Sequence, residues 1–211
     1  MAQPRRLTRL IAALTALSCL WLFPQMPAQA VFTRVALGSA PRSITLQVGS
    51  ATGVDNVVFN VSGAAAAALP RAPVTNPTPG SVNFSITANR VNSGFEPWIT
   101  LTANSSVALK CVAGTGCGTT EIPFDSISWT TANADPSGLD IQSGAFNGGA
   151  TQQLTRYQNN YRECTFWIII CLGYAYYDTN MANTLNFQYS NSTLYPAGQY
   201  KGRVTFTATM L

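Results

Sequence analysis

Short runs in which every second residue is apolar, each cut off by Gly, Pro, Asn or Ser, constrain this chain more than any other feature. Alternation with a period of two sets one face of a strand against a core and the other in water, whereas a helix repeats its apolar positions every three to four residues. "SITLQVG" places Ile44, Leu46 and Val48 on one face, "NVVFNVSG" Val57, Phe59 and Val61, "SVNFSITAN" Val82, Phe84 and Ile86, and "NTLNFQYS" Leu185, Phe187 and Tyr189. "WITLTAN" offers two faces, Trp98 with Thr100 and Thr102, or Ile99 with Leu101 and Ala103. "SVALKCV" gives Val107, Leu109 and Cys111, and "GLDIQSGAF" gives Leu139 and Ile141. In "EIPFDSISWTT" the phase slips between Phe124 and Ile127, the mark of a bulge or bend. The chain ends on "YPAGQYKGRVTFTATML", where Tyr200, Gly202, Val204, Phe206, Ala208 and Met210 alternate with polar residues to the end, as one strand. Nine or ten such strands, and no sustained helical periodicity, predict an all-β sandwich or barrel.

The start of the chain is different. "MAQPRRLTRL" carries Arg5, Arg6 and Arg9, the apolar run "IAALTALSCLWLF" follows, and "PQMPAQA" ends on the small-x-small pattern Ala28-Gln29-Ala30. Residues 1–30 are therefore expected to be a secretory signal peptide, with no membrane span left after its cleavage. Residues 31–211 are expected to form one β domain, since the piece before the Ala- and Pro-rich stretch at 63–80 is too short to fold alone. That stretch reads as a surface loop in which the alanines allow one helical turn before Pro70, Pro73, Pro77 and Pro79 stop it.

Charge and cysteine usage fit export. Three of the twelve basic residues lie in the leader, leaving nine against eight acids, so the formal net charge of +4 carries no argument for nucleic-acid binding. Only 9% of residues are charged, and Ser, Thr, Asn, Gln and Gly must cover most of the surface. Beyond Cys19, four cysteines stand in two local pairs, Cys111 with Cys117 and Cys164 with Cys171. An even count in an exported chain predicts disulfides; three connectivities are open, and the two local pairs are the preferred one. Loops this small each add about 2–3 kcal/mol at most, so the bridges are expected chiefly to pin hairpin tips.

The residues for most chemistries are missing. The chain has no His, which removes Ser–His and Cys–His catalysis and the common zinc sites. The eight acids are scattered, and "NADPSGLD", with Asp135 and Asp140, reads as an Asp-Pro turn in preference to a calcium loop. No phosphate-binding glycine loop or nucleophile elbow is present. The reading is a non-enzymatic protein with no metal and no cofactor. Tyr157, Tyr161, Tyr174, Tyr176 and Tyr177 surround the apolar run Thr165–Leu172, and such rings stack on sugars or pair across strands. The run itself, "TFWIIICL", is hydrophobic on both strand faces. It is expected to be a doubly buried strand or a hairpin covering one end of the sandwich. An exposed apolar tip, held by a bridge between Cys164 and Cys171, is the alternative.

The ending resembles that of chaperone–usher fimbrial subunits and related secreted bacterial pilins. Gly198 is the fourteenth residue counted back from Leu211, and Val204, Phe206, Ala208 and Met210 alternate after it. "YPAGQYKGRVTFTAT" is similar to the G-x-Y-x-G-x-V endings of such families, with Met210 where they usually carry an aromatic. The resemblance implies an immunoglobulin-like sandwich missing one strand, with residues 200–210 bordering the groove. It implies a periplasmic chaperone and then a neighbouring subunit's N-terminal extension filling that groove by strand addition, an usher as a further partner, and a path through the periplasm to a cell-surface fimbrium. Gly198, Tyr200, Val204, Phe206, Ala208 and Met210 would form the groove strand. Val31, Thr33, Val35 and Leu37 would form the donor. The competing expectation is a free-standing secreted sandwich that binds a glycan or another surface ligand on its host.

Overall fold

The computed structural model describes residues 31–36, 42–50, 56–89 and 97–211; the expected leader and Leu37 lie outside these. The chain is an all-β sandwich of antiparallel sheets. One sheet runs in the order β2 (Ser43–Val48), β3 (Val82–Asn89), β11 (Cys171–Tyr189), β7 (Ile127–Thr131) and β8 (Gly144–Ala145). The facing sheet runs β13 (Thr205–Met210), β4 (Trp98–Asn104) and β9 (Gln152–Gln158). A small third sheet joins β12 (Tyr200–Lys201), β5 (Leu109–Cys111) and β6 (Glu121–Ile122).

The alternation sets the faces. Val82, Phe84, Ile86 and Ala88 of β3 meet Ile99, Leu101 and Ala103 of β4 in the core, all buried, so "WITLTAN" presents its second face inward. Phe84 and Phe206 meet across the sheets edge to face, with ring centroids 5.0 Å apart. Trp129, Phe146 and Phe187 fill the other end, and the Trp129 indole N–H donates to the Gln142 carbonyl at 2.8 Å.

At 19 residues, β11 is long enough to serve two structures. Its second half, from Met181, sits in the sandwich between β3 and β7. Its first half leaves the sandwich, pairing with β10 (Asn160–Trp167) on one side and with β1 (Phe32–Ala36) on the other. Buried Asn159 makes the corner where the chain passes from β9 to β10. Its side-chain carbonyl accepts from the Thr179 N–H at 3.0 Å, and its amide group donates to Asp178 at 3.3 Å.

Several sequence expectations need correction. The terminal strand is two strands in two sheets, because Gly202 packs where a side chain would strike the Phe124 ring and Leu109, and the chain breaks step there. "NVVFNVSG" makes only a single bridge, Val58 to Thr78, and "GLDIQSGAF" only the two residues of β8. Ile141 is buried without a strand partner, since its N–H donates to the Asn183 side chain at 3.2 Å. The slip between Phe124 and Ile127 is a 3-10 turn over Phe124–Ser126. At 63–80 the alanines form one helical turn, Gly63–Ala67, whose first turn is capped by the Ser62 hydroxyl accepting from Ala65 N–H. The run Thr165–Leu172 is neither a buried strand nor a cover for the sandwich. It is the projecting tip of the β10–β11 hairpin, exposed from Thr165 to Ile170 and again at Leu172.

Candidate functional site

β2 and β13 are the edge strands on the same side of the two sheets. Each pairs with one inner neighbour, β2 with β3 and β13 with β4, and among the described residues no backbone hydrogen bond joins one to the other. Both alternate regularly: Ile44, Leu46 and Val48 on β2, and Phe206, Ala208 and Met210 on β13, point at the core. One strand further in, the equivalent positions of β3 and β4 are fully buried. At the edges all six are half-exposed, and Val204, just before β13, is too. The sandwich therefore has a seam along this side, lined by apolar side chains and flanked by two edges whose outward backbone groups find no ladder partner among the described residues. Such edges accept a further strand readily. β13 stays in register with β4 to the end of the chain, where Trp98 and Leu211 exchange both backbone bonds at 2.7 and 3.0 Å.

The sequence-marked residues separate into distinct places. Val204, Phe206, Ala208 and Met210 lie on the seam. Gly198 and Tyr200 do not; they belong with the small sheet, beside the disulfide that joins Cys111 and Cys117. A Cβ on Gly198 would stand 2.4 Å from Cys117 Sγ and 2.7 Å from its Cβ, so only glycine fits. The segment is held there by Val112 N–H donating to the Gln199 carbonyl at 2.7 Å, and by Gln199 N–H donating to the Thr115 hydroxyl at 3.0 Å. The Tyr200 hydroxyl donates to the Pro196 carbonyl at 2.9 Å. The motif "GQYKG" thus fixes how the chain enters β13: one glycine seats on the disulfide, the other on Phe124.

Val31, Thr33 and Val35 lie at β1, and β1 is paired with β11 of its own chain, Phe32 opposite Met181 and Val35 opposite Asp178. Only Phe32 of this strand reaches an inner neighbour, meeting Tyr157 edge to face at 5.2 Å; residues 33–36 are exposed. The second disulfide joins Cys164 and Cys171 at the base of the hairpin tip. Both local pairs are bridged, and two disulfides fit an oxidising compartment.

The acidic turn is built as a hydrogen-bond network. The Asp140 carboxylate, fully buried, accepts from Asp135 N–H at 2.8 Å, from the Asn183 amide at 2.7 Å and from the Gln142 amide. Asp135 accepts from Ser137, and that bonding holds its carboxyl below the usual range. Among the described residues no three His, Cys, Asp or Glu side chains gather as a metal site, and no helix is long and apolar enough to cross a membrane. Sequence reasoning named β13 as a groove strand but missed the opposite lip, Ile44, Leu46 and Val48. Their alternation was visible, but only the sheet order shows that β2 is an edge.

No family model matches the chain, and a search of the curated proteins finds no match.

Proposed function

We propose that the chain is an exported, pilin-like structural or adhesive subunit, non-enzymatic, assembled by strand complementation. The seam between β2 and β13 is the acceptor and residues 31–37 are the donor. One observation carries this reading: seven apolar side chains along the two lips stay half-exposed while their inner neighbours are buried. An added strand between the lips would cover them and supply partners to both edges, with alternate side chains entering the core. Until a neighbour's strand arrives, a periplasmic chaperone would have to occupy the same seam.

The donor is docked in cis, but weakly. Four of its five β1 residues are exposed, and its release gives up the Phe32–Tyr157 contact, the stacking of Arg34 on Tyr161 and the ladder to β11. This cis pairing also favours a second reading, a free-standing sandwich that binds a glycan or other surface ligand. Deleting residues 31–38 tests the choice. Under strand complementation the variant stays folded and no longer polymerises, while the intact chain, freed of chaperone, self-associates. An intact chain that remains monomeric at high concentration contradicts the proposal and leaves the second reading.

A further inference from the structure

The hairpin tip has no role in the seam, yet it is the most apolar exposed surface of the described chain. Phe166, Trp167, Ile168, Ile169, Ile170 and Leu172 are all exposed, Trp167 by 69% and Ile169 by 86%. Successive residues of a strand point to opposite faces, so these side chains cover both faces of the hairpin and its apex. A protein surface, or a second copy laid on one face, would cover only alternate residues. Complete cover requires an apolar medium that surrounds the tip.

The residues behind the apex change in the order a bilayer would require. From Thr165 to Leu172 no side chain is charged. Behind it come one exposed acid, Glu163, and rings with guanidinium groups stacked on them: Arg162 lies 5.0 Å over Tyr174, and Arg34 of β1 lies 3.4 Å over Tyr161, with Tyr177 beside it. At about 3.3 Å per residue, Tyr174 sits roughly 16 Å behind Ile169, and Arg162, Tyr161 and Tyr177 roughly 23–26 Å behind it. Tyr and Trp rings and Arg side chains with apolar stems are the groups that settle at the headgroup level of a membrane. Polar sandwich follows below. The disulfide between Cys164 and Cys171 closes the tip at its base, so the exposed loop keeps one shape.

We infer that the 166–172 hairpin tip is a membrane-docking element that inserts into the outer part of a lipid bilayer, with Tyr174 and the Arg162 guanidinium stacked on it at the headgroups and Tyr161 behind them. Insertion is shallow, because the outer edges of a lone hairpin carry backbone groups that must stay near water or headgroups. The inference does not rest on strand complementation: it stands on the tip with Tyr174 and Arg162, and Arg34, part of the proposed donor, joins them only while β1 is docked on its own chain.

Vesicle flotation tests it. The chain is expressed with its own N-terminus, purified as the cell processes it, and mixed with phosphatidylcholine vesicles with and without phosphatidylglycerol. The intact chain should float with the vesicles, and Ile169→Asp should weaken partitioning by ~30-fold or more. Ile169 is almost fully exposed, so this variant should fold normally, checked by its circular dichroism. Brominated lipid should quench tryptophan fluorescence in the intact chain, and Trp167→Phe should abolish the quenching while flotation persists. A chain that does not float overturns the inference; if it is also an oligomer that Ile169→Asp converts to a monomer, the tip is a self-association surface. Equal flotation of intact chain and Ile169→Asp also overturns it, because binding then comes from elsewhere.

Discussion

Replacing Gly198 with alanine should cost stability through one identifiable collision. The new methyl would sit 2.4 Å from Cys117 Sγ, 2.7 Å from Cys117 Cβ and 3.1 Å from Cys117 N, where ordinary contacts begin near 3.4 Å. Neither side yields easily. Cys117 is tied to Cys111 by the disulfide, and residue 199 is hydrogen-bonded to both Val112 and Thr115. A shift of about 1 Å must be absorbed in packed surroundings, and overpacking of this kind costs about 1–3 kcal/mol. For a domain of this size that lowers Tm by roughly 3–10 °C. A double-mutant cycle isolates the cause. In a Cys111→Ala, Cys117→Gly background the sulfur and the Cβ are gone, so Gly198→Ala should become nearly neutral, a coupling of about 1–2 kcal/mol. Thermal and urea unfolding of the four proteins measure it. A Gly198→Ala chain within about 0.5 kcal/mol of the parent, or the same cost in both backgrounds, refutes the packing explanation of this glycine.

Two further substitutions probe the core. Tyr157 is buried, its hydroxyl has no partner among the described residues, and burial pushes its pKa well above the usual tyrosine value. The folded state thus keeps its proton after the unfolded state has lost it, and stability falls as pH rises past about 10. Tyr157→Phe should be neutral or stabilising at pH 8, and by about pH 11 should lose roughly 1.4 kcal/mol less than the parent; equal losses in urea unfolding at the two pH values contradict this. Asp140→Asn should destabilise by about 1–3 kcal/mol, because only one amide oxygen remains: kept toward Asp135 and Asn183, it leaves an NH2 facing the Gln142 donor now satisfied by the carboxylate. A cost below about 0.5 kcal/mol in the same assay would mean that the network carries no stability.

What the sequence made legible, and what it hid, follows from how local each signal is. β3, β4 and β7 were visible because they alternate without interruption and face one core. β9, "QQLTRYQ", was invisible: a bulge at Leu154 shifts its register against β4, so the residues opposite core-facing Ala103, Leu101 and Ile99 are Gln152, Thr155 and Tyr157, the first two polar and three apart. "GLDIQSGAF" alternates like a strand, yet the Asn183 side chain takes the bond that a strand partner would have made at Ile141. The hairpin tip misled for another reason. Apolar residues on both faces describe a strand surrounded by nonpolar material, and the sequence does not say whether that material is the protein's own core. The seam was half legible, since alternation identified both β2 and β13, but edge position is a property of sheet order. The cis pairing of β1 with β11, 141 to 149 residues away in sequence, left no local trace at all.

Residue-resolved amide exchange on the purified chain, with and without a synthetic peptide of residues 31–37, tests the strand-acceptor seam most directly. Without peptide, the alternate amides of β2 and β13 that face away from β3 and β4 should exchange freely. With peptide in excess they should become protected in both strands together, while the amides of β9 and β10 do not change. Unaltered exchange in either strand, or outward amides already protected to the level of β3 and β4 in the isolated chain, would contradict the account.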